Sequence, residues 1–160
     1  MTHAVLALGS NLGNREAAIS MAVRQVAELD GVELVATSMV HESVAVKPDG
    51  PDDAAPAYLN AVIAIETLLA PEELLVAVNG IEQTLGRVRA ERWADRTLDI
   101  DIITYGDLAM QTETLTIPHP RAAERSFVLE PWLDIDPEAE LPGYGRVADL
   151  AAGLRSESSR

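Results

Sequence analysis

An α+β fold is what this sequence predicts, on three observations. Strand-like apolar runs and helix-period stripes follow one another in the order β-α-β-β-α-β through Tyr105. Beyond Tyr105 the pattern loosens into short helical and Pro-rich pieces. With 160 residues, 48% of them hydrophobic, the chain is long enough for one core. The split βαβ order predicts a ferredoxin-like βαββαβ core, a mainly antiparallel sheet with helices packed on it in α-β-α layers, plus C-terminal helical additions. One domain over residues 1–155 is expected, with 156–160 a frayed tail.

Each element has its own signal. Val5-Leu6-Ala7-Leu8 is a short buried strand, and Gly9-Ser10-Asn11-Leu12-Gly13-Asn14 a tight turn. That turn lacks the Gly-Lys-Ser/Thr ending of a P-loop and the spacing of a dinucleotide fingerprint. Asn14 is the expected N-cap of a helix over Arg15–Leu29, where Ile19, Ala22, Val23, Val26 and Leu29 recur at helical spacing and Asp30-Gly31 ends it. Val32 to about His41 is the second strand. Residues 46–56 contain three prolines, a glycine and three aspartates, which predicts a long exposed loop. Tyr58–Thr67 is strongly β-prone. Pro71 opens the second helix, with Glu72 and Glu73 in its first turn, Leu74, Leu75, Val78, Ile81 and Leu85 as its stripe and Gly86 as its stop. The arginine-rich stretch after it is a second expected loop. Leu98–Tyr105 is the fourth main strand, and Gly106-Asp107 turns the chain. Further on, Leu115–Pro118 is a short strand, Pro120 to about Glu130 a helix, Leu133–Gly145 a connection and Val147–Leu154 a final helix.

The net charge of −14 repels polyanions, so neither nucleic acid nor a membrane surface is an expected partner. No apolar run has the length of a membrane span. The absence of Cys removes disulfides, thiolate metal sites and cysteine nucleophiles. A cytoplasmic protein is expected. Of 12 Lys and Arg, six are Arg87, Arg89, Arg92, Arg96, Arg121 and Arg125. An acidic chain that gathers arginines in two nearby stretches suits one small anionic ligand, although single arginines are usually solvated surface.

The densest chemistry lies in residues 86–101. Asp99 and Asp101, at i and i+2 on a strand, point the same way, and paired carboxylates are hard oxygen ligands suited to Mg²⁺. The competing account is a half-exposed strand with two surface acids, which is the commoner case for a bare Asp-x-Asp. Asp is poorly suited to strands, however, and like charges on one face repel unless a cation bridges them. Arg87, Arg89, Arg92 and Arg96 upstream can fork around phosphate oxygens, with Glu91 and Asp95 as local counter-charges in the plainer account. Trp93 in that loop is a lid or stacking candidate. His119 stands between Pro118 and Pro120, which suits a positioned side chain. His3 and His41 are expected to be ordinary surface histidines. Arg125 either meets a ligand or pairs with an acid such as Glu124 or Glu130. No nucleophile-elbow sequence supports a hydrolase triad.

Taken in order, Gly9-Ser10-Asn11-Leu12-Gly13, Tyr58-Leu59-Asn60, Glu82 with Gly86-Arg87, Arg92-Trp93-Ala94-Asp95-Arg96-Thr97-Leu98-Asp99-Ile100-Asp101, and Pro118-His119 with Arg125-Ser126-Phe127 resemble the 6-hydroxymethyl-7,8-dihydropterin pyrophosphokinases of folate biosynthesis. The resemblance runs from about residue 4 to residue 133. It implies transfer of diphosphate from ATP to the pterin hydroxymethyl group with release of AMP, ATP as co-substrate, two Mg²⁺ ions on Asp99 and Asp101, and a monomer.

By the same resemblance Arg87, Arg96, Asp99, Asp101 and His119 are the catalytic set. Leu75, Asn79, Glu82, Arg87, Arg89, Arg92, Trp93, Arg96, Ile102, Thr116, His119 and Arg125 meet the nucleotide. Ser43, Val44, Val46, Tyr58, Asn60, Trp93, Asp99 and Phe127 meet the pterin. Three positions depart from the family pattern. Ala94-Asp95 replaces a usual Gly-Pro, Ser43–Lys47 replaces a Thr-x-Pro-x-Gly-like segment, and Pro120 stands where some members carry an aromatic. Two rival readings are a non-catalytic Mg-nucleotide-binding module on the same fold and a structural domain whose arginines pair only with its own acids.

Overall fold

The computed structural model describes residues 1–11, 15–43, 46–47, 50–51, 58–89 and 98–158; for 46, 47, 50, 51, 86–89, 157 and 158 the backbone alone is considered. Its main sheet holds β1 (Thr2–Ser10), β2 (Val32–Thr37), β3 (His41–Ser43), β6 (Tyr58–Thr67) and β7 (Leu98–Tyr105) in the order β2-β6-β1-β7, with β3 also on β6. Every pairing in that sheet is antiparallel. β4 (Val46–Lys47) and β5 (Gly50–Pro51) pair with each other outside it.

β1 and β6 are central, which is why Ala4–Leu8 and Ala61–Ile65 are buried as continuous apolar runs, with Asn60 buried just before the second. One sheet face places Ala4, Leu6, Leu8, Ile63, Ile65, Ile100 and Ile102 against α1 (Arg15–Ala27) and α2 (Pro71–Arg89). The other face sets Val5, Ala7, Val62 and Ile103 against α3 (Ser126–Ile135) and α4 (Val147–Ser158). The layers are therefore helix, sheet, helix: the βαββαβ core supplies one helix layer, and the C-terminal helices supply the other. The alternation of β7 decides the site: Leu98, Ile100 and Ile102 point into the first core, and Asp99 and Asp101 point to the opposite face.

Several boundaries differ from expectation for physical reasons. The second strand does not reach His41. Val62 N–H donates to the Ser38 hydroxyl at 2.8 Å and Ser38 N–H to Val62 O at 2.9 Å, so the side chain takes a ladder position and the chain steps out before β3 begins. The expected long loop at 46–56 contains the β4–β5 hairpin. Gly86 does not stop α2, which continues to Arg89. An interior glycine costs a helix only about 1 kcal/mol, too little to end one already held by its buried stripe. Arg87 and Arg89 thus have helical rather than loop backbone.

The helix expected at Pro120–Glu130 is a 3-10 turn, Ala122–Glu124, followed by α3, because Arg125 is extended between them. α3 runs on to Ile135 with Pro131 inside it. The expected connection also contains a hairpin of β10 (Glu140–Leu141) with β11 (Gly145–Arg146), where Gly143 and Gly145 supply positive φ. Likewise β8 (Met110–Gln111) pairs with β9 (Thr116–Ile117). α4 extends to Ser158, so the segment expected to fray from Ser156 begins as its last turn. The Asn14 cap lies outside the described residues.

Candidate active site

A cross-strand row organises the site. Gly9 of β1 is paired with Asn60 of β6 on one side and Asp99 of β7 on the other, and the next row holds Val62, Ala7 and Asp101. These rows open into a cavity of about 530 Å³ on the α3 side of the sheet. Gly9 keeps the floor low. A Cβ there would stand 3.2 Å from Asn60 Oδ1 and 3.8 Å from Tyr58 Cδ1. The lining has an uncharged group, Ser43, Tyr58, Asn60 and Phe127, and a charged group, Asp99, Asp101, Arg121, Glu124 and Arg125.

Asn60 is 4% exposed and donates from Nδ2 to Ser43 Oγ at 2.7 Å and His41 O at 3.3 Å. A carbonyl can only accept, so these bonds fix which way the amide faces. His41 is not a bare surface histidine, since its Nε2 lies 2.7 Å from Asp134 Oδ2 and joins β3 to α3.

On the charged side, Asp101 Oδ2 lies 3.7 Å from Arg125 Nη1 and 3.9 Å from His119 Nε2. The Arg125 guanidinium also sits 5.6 Å from the centroid of the Phe127 ring, linking the two groups. His119 N–H donates to Ile103 O at 2.9 Å, and His119 Nδ1 accepts from Arg121 N–H at 3.2 Å. With Nδ1 accepting, the neutral ring carries its proton on Nε2, on the side of Asp101. Burial lowers the His119 pKa, and the charges of Arg125 and Arg121 lower it further against the pull of Asp101.

Glu82 of α2 accepts from Ile100 N–H at 2.8 Å, covering part of the outer edge of β7. Its pKa is raised to about 7, first by burial and then by the charges of Asp99 and Asp101, against the bond from Ile100. A raised carboxylate pKa means that the folded state binds the proton more tightly, so this stabilising contribution is full below the ordinary carboxylate value and is lost as pH rises through about 7. Glu82→Gln keeps an acceptor for Ile100 and removes the titration. Denaturant unfolding without Mg²⁺ at pH 5 and pH 8 should differ less in this variant, by about 1 kcal/mol once the half-exposure of the group is discounted.

Asp99 and Asp101 fit a Mg²⁺ site by the chemistry of their donors. They are two carboxylates on one strand face, exposed and half-exposed, whose joint field reaches Glu82. Among the described residues no group of three or more His, Cys, Asp or Glu gathers as a metal cage. Two carboxylates with room for water and phosphate oxygens are what Mg²⁺ takes, rather than an all-protein shell.

Of the residues expected at the site, Ser43, Tyr58, Asn60, Asp99, Asp101, Arg125 and Phe127 line this cavity. His119 stands beside it through Asp101. Leu75, Asn79 and Glu82 lie on α2, away from the cavity lining. The Ile102 side chain is buried in the α1/α2 core, and Thr116 precedes buried Ile117 on β9. Arg92, Trp93, Arg96 and Val44 lie outside the described residues, as do the side chains of Arg87, Arg89 and Val46. Gly9, Arg121 and Glu124 also line the cavity without an assigned role, although Arg121 is one of the gathered arginines that suit a small anion. The signal for Gly9 was its place at the start of a Gly-rich turn, and the signal for Arg121 its position two residues after His119. None of the described helices is long and apolar enough to cross a membrane.

The family model for 7,8-dihydro-6-hydroxymethylpterin-pyrophosphokinase (HPPK) matches residues 5–137. A 2-amino-4-hydroxy-6-hydroxymethyldihydropteridine pyrophosphokinase from Haemophilus influenzae is 42% identical over 150 residues, covering 94% of this chain and 91% of the relative. One of the same name from Bacillus subtilis is 40% identical over 137 residues, covering 86% and 80%. The crystal structure of wild-type Plasmodium falciparum HPPK-DHPS with pteroate superposes with a TM-score of 0.74 at 15% identity, covering 99% of this chain and 43% of that one. That likeness concerns the fold, and the chain spans less than half of the larger protein.

Proposed function

The chain belongs to the HPPK family, diphosphokinases of folate biosynthesis, and from that premise we propose that it transfers diphosphate from ATP to the hydroxymethyl group of 6-hydroxymethyl-7,8-dihydropterin, with AMP as the second product. The observation that carries this reading is the row Asn60, Gly9, Asp99, which sets an amide-floored, aromatic-sided slot beside a carboxylate pair in one cavity.

In this reading the pterin edge meets the Asn60 amide and the Ser43 hydroxyl, and its ring lies between Tyr58 and Phe127. Val44, Val46 and Trp93 are pterin contacts only by the family resemblance. Asp99 and Asp101 would hold two Mg²⁺ ions, which supply charge neutralisation at the polyphosphate. Nucleotide contacts run along the outer edge of β7. Because the Ile102 side chain is buried, its contact there is through the backbone, with Thr116 on one side and Leu75, Asn79 and Glu82 of α2 on the other. The hydroxyl oxygen of the pterin forms a bond to the β-phosphorus of ATP while the bond from that phosphorus to the α,β-bridging oxygen breaks. The hydroxyl proton leaves to solvent or to Asp101. His119 donates from Nε2–H to a phosphate oxygen, and Arg87, Arg89, Arg92, Arg96 and Arg125 neutralise the remaining charge.

The test is AMP formation from ATP and Mg²⁺ with and without 6-hydroxymethyl-7,8-dihydropterin. Pterin-dependent AMP is the expected result. Mg²⁺-dependent ATP binding without AMP would replace this reading with the non-catalytic module, and no response to ATP or Mg²⁺ would replace it with a structural domain.

A further inference from the structure

We propose that Arg121 is a phosphate-contact residue whose guanidinium is occupied by Glu124 in the free protein and passes to the polyphosphate when ATP binds; this rests on the diphosphokinase reading above. Both side chains line the cavity beside Asp99, Asp101 and Arg125. Their backbones are fixed. Arg121 N–H donates to His119 Nδ1 at 3.2 Å, and Arg121 O accepts from Glu124 N–H at 3.0 Å across the 3-10 turn. The charged ends are not fixed. Arg121 Nε and Glu124 Oε2 are 3.7 Å apart, beyond hydrogen-bond length, and the two side chains are 68% and 71% exposed.

Among the described residues Glu124 is the partner found for the Arg121 side chain. Arg125 differs in that it is 25% exposed, faces Asp101 and lies against Phe127. Arg121 is thus the cation of this lining that is free to move. The described lining holds three carboxylates against two guanidinium groups, so a polyanion entering it needs more positive charge than Arg125 supplies. An exposed i,i+3 pair is weak and easily exchanged. A triphosphate offers the guanidinium fork several oxygens and more charge than one carboxylate.

The test is the dissociation constant of the Mg²⁺ complex of a non-hydrolysable α,β-methylene ATP analogue, measured by calorimetry for the full chain and three variants. Arg121→Ala should weaken binding roughly fivefold, and Glu124→Gln should tighten it about twofold by freeing the guanidinium. In the double variant the Glu124→Gln gain should vanish. Thermal unfolding should stay at the wild-type value, because both side chains are exposed. Wild-type binding by Arg121→Ala would overturn the proposal. So would a Glu124→Gln gain that persists without Arg121, because Glu124 would then act by direct repulsion. Failure of the unmodified chain to form AMP would overturn the diphosphokinase reading while leaving this binding comparison intact.

Discussion

Asp99→Asn and Asp101→Asn are each expected to lower kcat by about 10³-fold, roughly 4 kcal/mol of barrier, while the fold is kept. The size follows from the proposed metal role: with one of the two proposed hard ligands a neutral amide, charge at the reacting centre would no longer be offset, and in-line transfer depends on that offset more than on covalent chemistry. The fold should survive because Asp99 is exposed and Asp101 half-exposed, and neither belongs to a buried cluster. Unfolding temperature should hold or rise, since two like charges on one strand face repel. A second readout separates loss of a metal ligand from distortion of the strand. Asp99 and Asp101 both push up the Glu82 pKa, so either substitution should bring it below about 7, though not fully down because burial is the larger cause. Turnover within tenfold of wild type in either variant would remove the metal assignment.

The order of the four main strands and the two helices between them was legible because each carries a strong, local period, and Tyr58–Thr67 and Leu98–Tyr105 have the bounds that their sequences predict. What failed to read was set by groups distant in sequence. Ser38 ends β2 because its hydroxyl meets Val62, which nothing in the neighbourhood of Ser38 reveals. Gly86 is a separate case: a single interior glycine costs too little to end a helix that its buried stripe already holds, so α2 passes through it to Arg89. The 3-10 turn and α3 share one apolar pattern, and only the extended backbone of Arg125 divides them. At the site, spacing was enough to put Asp99 and Asp101 on one face. It could not put Gly9 between Asn60 and Asp99, because that row is a matter of strand register. Nothing near His41 in sequence marks its bond to Asp134, which lies 93 positions away. The gathering of arginines includes Arg121 without giving it a place, and only the way the chain turns after Pro120 brings it and Glu124 to the cavity.

Arg125→Ala is expected to lower kcat/KM by about 10²-fold, and Arg125→Lys to recover no more than a tenth of the wild-type value. Two contacts explain why the side chain does more than neutralise a phosphate. Its guanidinium faces Asp101 at 3.7 Å, so in the free protein it restrains a carboxylate that would otherwise repel an incoming nucleotide. It also lies 5.6 Å from the Phe127 centroid, so it helps to set the ring proposed as one side of the pterin slot. A lysine keeps the charge but lacks the planar fork that can address a carboxylate, a ring and phosphate oxygens together. Removing the side chain should therefore raise the pterin KM as well as lower kcat. Stability should change little, because the start of α3 depends on the backbone: Arg125 O accepts from Val128 N–H at 2.9 Å and Leu129 N–H at 3.0 Å whatever the side chain. Steady-state kinetics with each substrate varied in turn would separate the two contacts. A fall in kcat with an unchanged pterin KM would leave Arg125 with the phosphate alone, and activity within threefold of wild type would deny it both roles.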